Sequence, residues 1–369
     1  MKDALAEKLL AKVLGWETHE MAKERPLLQA MASFKYDSYE QFSPGLRFVE
    51  SLALWLNQFE AADRKTAYDY LKCSLVFCSA EEMDHLVETA YYDHIRPILI
   101  ANEAKAKGLN PHHVGRIASS TGFRIRQRET LFLGLSDGAR IDSFRRGNRE
   151  LNHEQISQTH ELAKDRIDDL LGKLTEHTAA IVGEGAIPST NFCSIVLLDD
   201  FSASGSSYVA FKDGKAKGKV AKFLQALADK ENSLNRLVSK NGIDLVILIY
   251  VATEKALKHL RDSINKKLPQ GINNISVEAV QIVPERIKME RGNAHNFEAL
   301  IEKYYDPSIF DVHMQKGGTP DGKFGYADCG LPLVLHHNTP NNSLAILWFY
   351  EECTIRGLFP RVQRHREMS

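Results

Sequence analysis

The run Ile195-Val196-Leu197-Leu198-Asp199-Asp200-Phe201-Ser202-Ala203-Ser204-Gly205-Ser206-Ser207 sets two adjacent carboxylates between an apolar stretch and a loop of small residues. Four consecutive apolar residues read as a buried strand, and the Ser/Gly stretch after them as a loop. Small side chains let backbone N–H groups approach the oxygens of a phosphate, and the serine hydroxyls offer further hydrogen bonds. Asp199 and Asp200 stand where the hydroxyls of a sugar, or a Mg²⁺, would lie beside that phosphate. The chemistry implied is that of a sugar-phosphate site. The competing reading is structural, because acids and Ser/Gly also punctuate strand ends as caps and turns.

Such a loop needs a strand beneath it and neighbours beside that strand. From about Arg116 the sequence alternates strand-like and helix-like segments. Thr130 to Leu135 reads as a strand, Ser136-Asp137-Gly138-Ala139 as a tight loop and Arg140 to Arg149 as a helix. An amphipathic helix is expected from Glu154 to Thr175. Further strands are expected at Ile195 to Asp199, Asp244 to Val251 and Val277 to Val283, with a helix from Thr253 to about Lys266 and a last strand candidate at Leu331 to Leu335. Strands separated by helices imply parallel pairing through crossovers, and ligands then bind beyond the carboxyl ends of the strands. If the strand at Thr130 neighbours the Asp199 strand, Ser136, Asp137, Gly138 and Arg140 open on the same crevice. Arg145 and Arg146 would add positive charge, while Arg149 reads as part of a solvated helix face. After the serine loop, Tyr208 to Phe211 and the lysine-rich run Lys212 to Lys219, with Asp213-Gly214 inside it, read as an inserted turn or hairpin before a helix near Val220.

The flanks have a different texture. From Met1 to about Lys107, apolar residues recur at helical spacing, as in Phe48, Leu52, Trp55 and Leu56. Pro44-Gly45 opens one helix, and Ser79 with Glu82 forms a capping box for another. The aromatic residues Tyr36, Tyr39, Phe42, Phe48, Trp55, Tyr68 and Tyr70 read mainly as core. Near the other end, Asn338 and Asn342 carry amides able to donate and accept, as base-edge or ribose recognition requires, although an Asx-rich turn capping Ser343 to Tyr350 accounts for them equally. His336-His337 lacks a second pair at ligand spacing, which argues against a transition-metal site. The expected organisation is a helical lobe over 1–115, an α/β core over 116–325 and a hood-like extension over 326–369.

Composition bounds the function. A net charge of −1 over 369 residues argues against broad attraction to nucleic acid or membrane, leaving direct nucleic-acid binding open only through local patches such as Arg116, Arg124, Arg126 and Arg128. No apolar run is long enough to span a bilayer, and no secretory leader is evident. Five cysteines without metal-type pairing fit a reduced, cytoplasmic setting.

The Ile195 to Ser207 string resembles the signature of type I phosphoribosyltransferases: an apolar strand, two acids, and a Ser/Thr-Gly-Ser/Thr loop. Lys35 to Tyr39, Phe42 to Phe48, Ser51 to Leu56, His337 to Asn342, Leu347-Trp348 and Leu358 to Arg361 resemble a bacterial group of phosphoribosyltransferase-like proteins associated with conflict and anti-phage systems, including some retron loci. The resemblance spans roughly Lys35 to Arg366. It implies a parallel-sheet core of the type I phosphoribosyltransferase kind, with a helical N-terminal lobe and a C-terminal extension. It also implies a ligand, phosphoribosyl pyrophosphate or a nucleotide. Its 5′-phosphate would sit on Ser202, Ala203, Ser204, Gly205, Ser206 and Ser207, its ribose hydroxyls on the catalytic pair Asp199 and Asp200, directly or through water on donor-bound Mg²⁺, and its pyrophosphate near Ser136 to Arg140. Three departures stand out: Ala203 where many members carry Thr or Asp, the lysine-rich insertion, and the long flanks. The implied function is a nucleotide-metabolising effector of a bacterial defence system, either a phosphoribosyltransferase or an enzyme cleaving the related N-glycosidic bond. The alternatives are a catalytically inactive ligand-sensing module and a scaffold for a partner protein such as a reverse transcriptase with its nucleic acid.

Overall fold

The structure is a computed structural model and describes residues 3–212, 215–239, 241–265, 271–292, 296–350 and 353–361. The strands among them, in chain order, are β1 (Val76–Cys78), β2 (Thr130–Gly134), β3 (Ile156–Ser157), β4 (Ser194–Ser202), β5 (Ala210–Lys212), β6 (Lys215–Lys217), β7 (Ile243–Thr253), β8 (Ile272–Val283) and β9 (Leu333–Leu335). Five of them form one parallel sheet in the spatial order β3-β2-β4-β7-β8. The chain divides into two compact units. One comprises Asp84–Val283, and the other the described residues through Met83 and from Pro284 onward.

In the first unit, β4 and β7 occupy the middle of the sheet because both carry unbroken apolar runs, Ile195 to Leu198 and Leu245 to Ala252, that are buried along their length. Alternate residues serve opposite faces. Leu131, Leu133, Ile195, Leu197, Ile247 and Ile249 pack with Ile167, Leu170 and Leu174 of the helix Lys164–Val182, with Phe223 and Leu227 of Lys219–Ala228, and with Leu257 and Leu260 of Glu254–Asn265. On the other face, Phe132 meets Tyr91 (ring centroids 6.3 Å) and Phe144 (5.2 Å). Asn102, in the helix Arg96–Lys107, donates to the Asp244 carboxylate of β7 (3.2 Å). The segment 84–115 therefore packs with the sheet, whose second face it helps cover.

The second unit gathers its own core, in which the expected aromatic residues are buried: Tyr36, Tyr39, Phe48, Trp55, Tyr68 and Tyr70, with Phe42 partly so. Residues from the far end of the chain complete it. Trp55 Nε1 donates to Ile346 O (3.0 Å), Tyr39 Oη to Pro360 O (2.9 Å) and Ser51 Oγ to Leu358 O (2.9 Å), while Tyr70 stacks on Phe297 at 3.9 Å. These contacts draw the segment after Pro284 to the N-terminal helices.

Several local expectations are refined. The Ser79–Glu82 capping box is present, each backbone N–H donating to the other's side chain at 2.8 and 3.2 Å. The amphipathic helix begins at Lys164 rather than Glu154, because Ile156 and Ser157 pair with Phe132 and Leu133 as β3. Val76 to Cys78, which continue a helical spacing, instead form β1 and pair with β9, so the strand at Leu333 lies outside the main sheet. The lysine-rich insertion is the antiparallel hairpin β5–β6. Asp213, Gly214 and Lys266 lie outside the described residues. No helix among the described residues is long and apolar enough to cross a membrane.

Leu197 is fully buried at the centre of the sheet. Leu197→Ala should cost about 2–5 kcal/mol of unfolding free energy, measured by urea denaturation.

Candidate functional site

The sheet order reverses direction between β2 and β4: β2 connects outward to β3, and β4 connects the other way to β7 and β8. In doubly wound sheets this switch point is where a crevice opens outside the carboxyl ends of the strands. Gly134 lies opposite Leu198, and Leu135 N donates to Leu198 O (2.9 Å), so the loops after β2 and β4 emerge side by side. The structure thus brings Ser136, Asp137, Gly138 and Arg140 together with Asp199, Asp200 and the 202–207 loop.

Asp199 is buried, 1% exposed, and held from three sides. Ser136 Oγ donates to its Oδ1, as does its neighbour's amide, Asp200 N (3.2 Å), and Lys219 Nζ lies 3.1 Å from its Oδ2. Burial pushes the Asp199 carboxyl above the usual range, the adjacent Asp200 adds to the rise, and Lys219 and Ser136 oppose it. Asp200 is half-buried and accepts from Phe201 N (2.8 Å). Gly138 packs directly on it: a Cβ there would lie 2.4 Å from Asp200 Oδ2, so only glycine permits this approach of the two loops.

Buried tyrosines brace the crevice. Tyr250 Oη donates to Ala139 O (2.9 Å), anchoring the 136–140 loop to β7. Tyr208 Oη donates to Phe201 O (3.3 Å), and its ring lies 5.8 Å from Lys219 Nζ. Arg140 adopts the left-handed region (φ 47°), a strained conformation of the kind that clusters at ligand clamps, and donates to Asp84 Oδ1 (2.7 Å). Arg145 donates to Ile156 O (2.6 Å) and Arg146 to Ser143 Oγ (3.2 Å), so both serve local structure.

The loop after β4 is fixed from β7 and the helix that follows it. Thr253 Oγ1 donates to Ala203 O (2.6 Å) and accepts from Ala256 N (3.1 Å), and His259 Nε2 bonds Val209 O (2.8 Å). Ala203 therefore contributes its carbonyl rather than a side chain. Gly205 has φ 75°, and a Cβ there would lie 3.0 Å from Ala256 O. Ser204 and Ser206 share a hydrogen bond between hydroxyls (2.9 Å). Among the described residues no acceptor takes the N–H of Ser204, Gly205 or Ser207, and Ser202 Oγ is buried without a partner. Backbone N–H donors left open beside hydroxyls are what a loop needs in order to take an anion.

A protein-held Mg²⁺ does not fit the acid pair. Both Asp199 oxygens are already engaged, and the described residues contain no group of three His, Cys, Asp or Glu able to hold a metal. Asn338 and Asn342 lie in the other compact unit. Asn342 Nδ2 donates to Tyr326 O (3.1 Å), and Asn338 N to Leu335 O (3.1 Å), closing the turn after β9. In the arginine group, Arg126 pairs with Glu103 and Arg128 is buried with its Nε on His177 Nδ1 (3.2 Å). The residues that sequence reasoning did not single out are Lys219, Tyr208, Tyr250 and Thr253. Lys219 was visible only as one of several lysines in a run.

A parallel sheet in this order, with an acid pair and a Ser-Gly-Ser loop at its switch point, is a type I phosphoribosyltransferase-like core. The family model PRTase-CE matches residues 52–361, and the chain belongs to that phosphoribosyltransferase-like family. The match reaches well beyond the sheet on both sides, so the flanks are part of what defines the family. No curated protein and no solved structure gives a significant match.

Since burial disfavours the ionised form of Asp199, the folded protein bears a cost above its raised folded-state pKa. Asp199→Asn should raise the thermal unfolding midpoint at pH 7. The difference should shrink as pH falls from the raised folded-state pKa toward the ordinary aspartate range, roughly 4, and vanish below it, where the carboxyl is protonated in both states. Calorimetric scans at several pH values check this.

Proposed function

We propose that this chain binds a 5-phosphorylated ribosyl ligand in the crevice between the β2 and β4 loops and makes or breaks the bond at ribose C1. In this reading it is a nucleotide-metabolising effector of a bacterial defence system. The observation that carries the chemistry is the meeting of the Asp199–Asp200 pair and the open N–H donors of the 204–207 loop in one crevice at the switch point. The 5′-phosphate takes the N–H groups of Ser204, Gly205 and Ser207 with the hydroxyl of Ser202. Asp199 and Asp200 hold the ribose hydroxyls and stabilise the positive charge that grows on the ring as the leaving group departs. With phosphoribosyl pyrophosphate, the C1–O bond breaks with its electron pair leaving on pyrophosphate, which rests near Ser136 to Arg140. A base nitrogen or a water then bonds C1 and releases a proton. A nucleotide as substrate would instead lose its base at the same carbon. A loose transition state of this kind needs positioning and charge compensation more than an activated nucleophile. A pyrophosphate ligand would bring its own Mg²⁺. The defence setting rests on the likeness of the flanking motifs.

One observation favours a second reading, a ligand-sensing module without turnover: Asp199, which would hold a ribose hydroxyl, is engaged by Lys219 of the same chain. Incubation of the purified protein with Mg²⁺, phosphoribosyl pyrophosphate and a panel of bases and nucleotides, read by mass spectrometry, separates the two. Turnover that falls at least ~10²-fold in Asp199→Asn/Asp200→Asn supports the enzyme. Turnover untouched by that double change removes the assignment, and saturable binding with no product in any mixture leaves the sensing module.

A further inference from the structure

The residue that engages Asp199 is fixed at both ends. Lys219 N donates to Ser207 O (3.0 Å), so its backbone closes the phosphate loop while its side chain reaches the acid pair. The preceding residue, Gly218, has φ 110°, and a Cβ there would lie 2.4 Å from Tyr208 O, which pins the start of the helix Lys219–Ala228 against the loop. The ammonium lies between Asp199 Oδ2 and the Tyr208 ring, with its side chain 36% exposed toward solvent. Two adjacent carboxylates beside an incoming phosphate require a cation, and here the chain supplies one. A divalent ion bound at the same oxygen would first have to displace it, and Mg²⁺ gives up its own waters reluctantly. The ammonium, with three N–H donors, can keep one on Asp199 and turn another to a sugar hydroxyl that itself donates to the carboxylate.

We propose that Lys219 is the resident cation of this acid pair, so that a ribose 5-phosphate group binds at the crevice without a divalent ion. The inference rests on the crevice being a phosphoribosyl site and adds to it the origin of its counter-charge.

Isothermal titration of the full chain with ribose 5-phosphate, in EDTA and again in millimolar MgCl₂, provides the test. Equal affinity in the two buffers, within about twofold, is expected for the wild type, against a loss of at least ~10-fold in EDTA for Lys219→Met that Mg²⁺ partly restores. Lys219→Arg should remain indifferent to Mg²⁺. Because Lys219→Met strips a buried carboxylate of its counter-charge, the wild-type comparison decides even where that variant does not fold. Wild-type binding that weakens at least ~10-fold in EDTA overturns the inference while leaving the crevice a phosphoribosyl site. So does a folded Lys219→Met that binds like the wild type in both buffers. No wild-type binding in either buffer overturns the inference together with the reading beneath it.

Discussion

Placing a carboxylate inside the carboxyl end of a central parallel strand imposes conditions on everything around it. β4 stays apolar through Leu198 and then, without a break, buries Asp199. A charge there is tolerable only with partners on every side. One comes from the neighbouring strand's loop, where Ser136 donates to it. Another is Lys219, twenty residues further on, at the start of the helix beyond the β5–β6 hairpin. Strand order, loop close-packing and the starting point of that helix all answer to this one group. Gly138 is part of the same constraint, because the β2 loop can approach the acid pair only where no side chain intervenes.

The serine loop is held by a further set of contacts, from β7 and its following helix and from Lys219 N, which donates to Ser207 O. Thr253 and His259 bind carbonyls at the two ends of the loop, and Tyr250 ties the opposite loop to the same strand. The carbonyls of Ala203, Gly205 and Ser207 accept hydrogen bonds from the chain, while the N–H groups of Ser204, Gly205 and Ser207 meet no acceptor among the described residues.

The family match covers the flanks as well as the sheet, and the structure shows a physical reason to treat each flank separately. The segment 84–115 covers a face of the sheet and so belongs to the site's own scaffold. The segment after Pro284 builds a second core with the N-terminal helices through Trp55, Tyr39 and Tyr70. A phosphoribosyltransferase-like unit is thereby carried in a chain that also builds a second compact unit with its own core.

The strand, the acid pair and the serine loop at Ile195 to Ser207 were legible in the sequence because they are contiguous: buried apolar run, charge and small residues follow one another along a single strand and turn. Thr130 to Arg140 was legible for the same reason, as was the β5–β6 hairpin. β3 was hidden by its two-residue length, and β1 by apolar spacing that suits a helix as well as a strand. The boundaries at 84 and 284 could not be read from texture, since helices look alike whether they cover a sheet or pack on one another. Among the lysines between 212 and 219, nothing in their spacing singles out the one that turns back to Asp199. The sequence by itself determined the fold class, the family and the two loops that follow β2 and β4, because local patterning encodes them. Only the tertiary structure decided which strands adjoin, which helices cover them and which cation meets the buried acid, because those depend on faces and charges that meet across long stretches of chain.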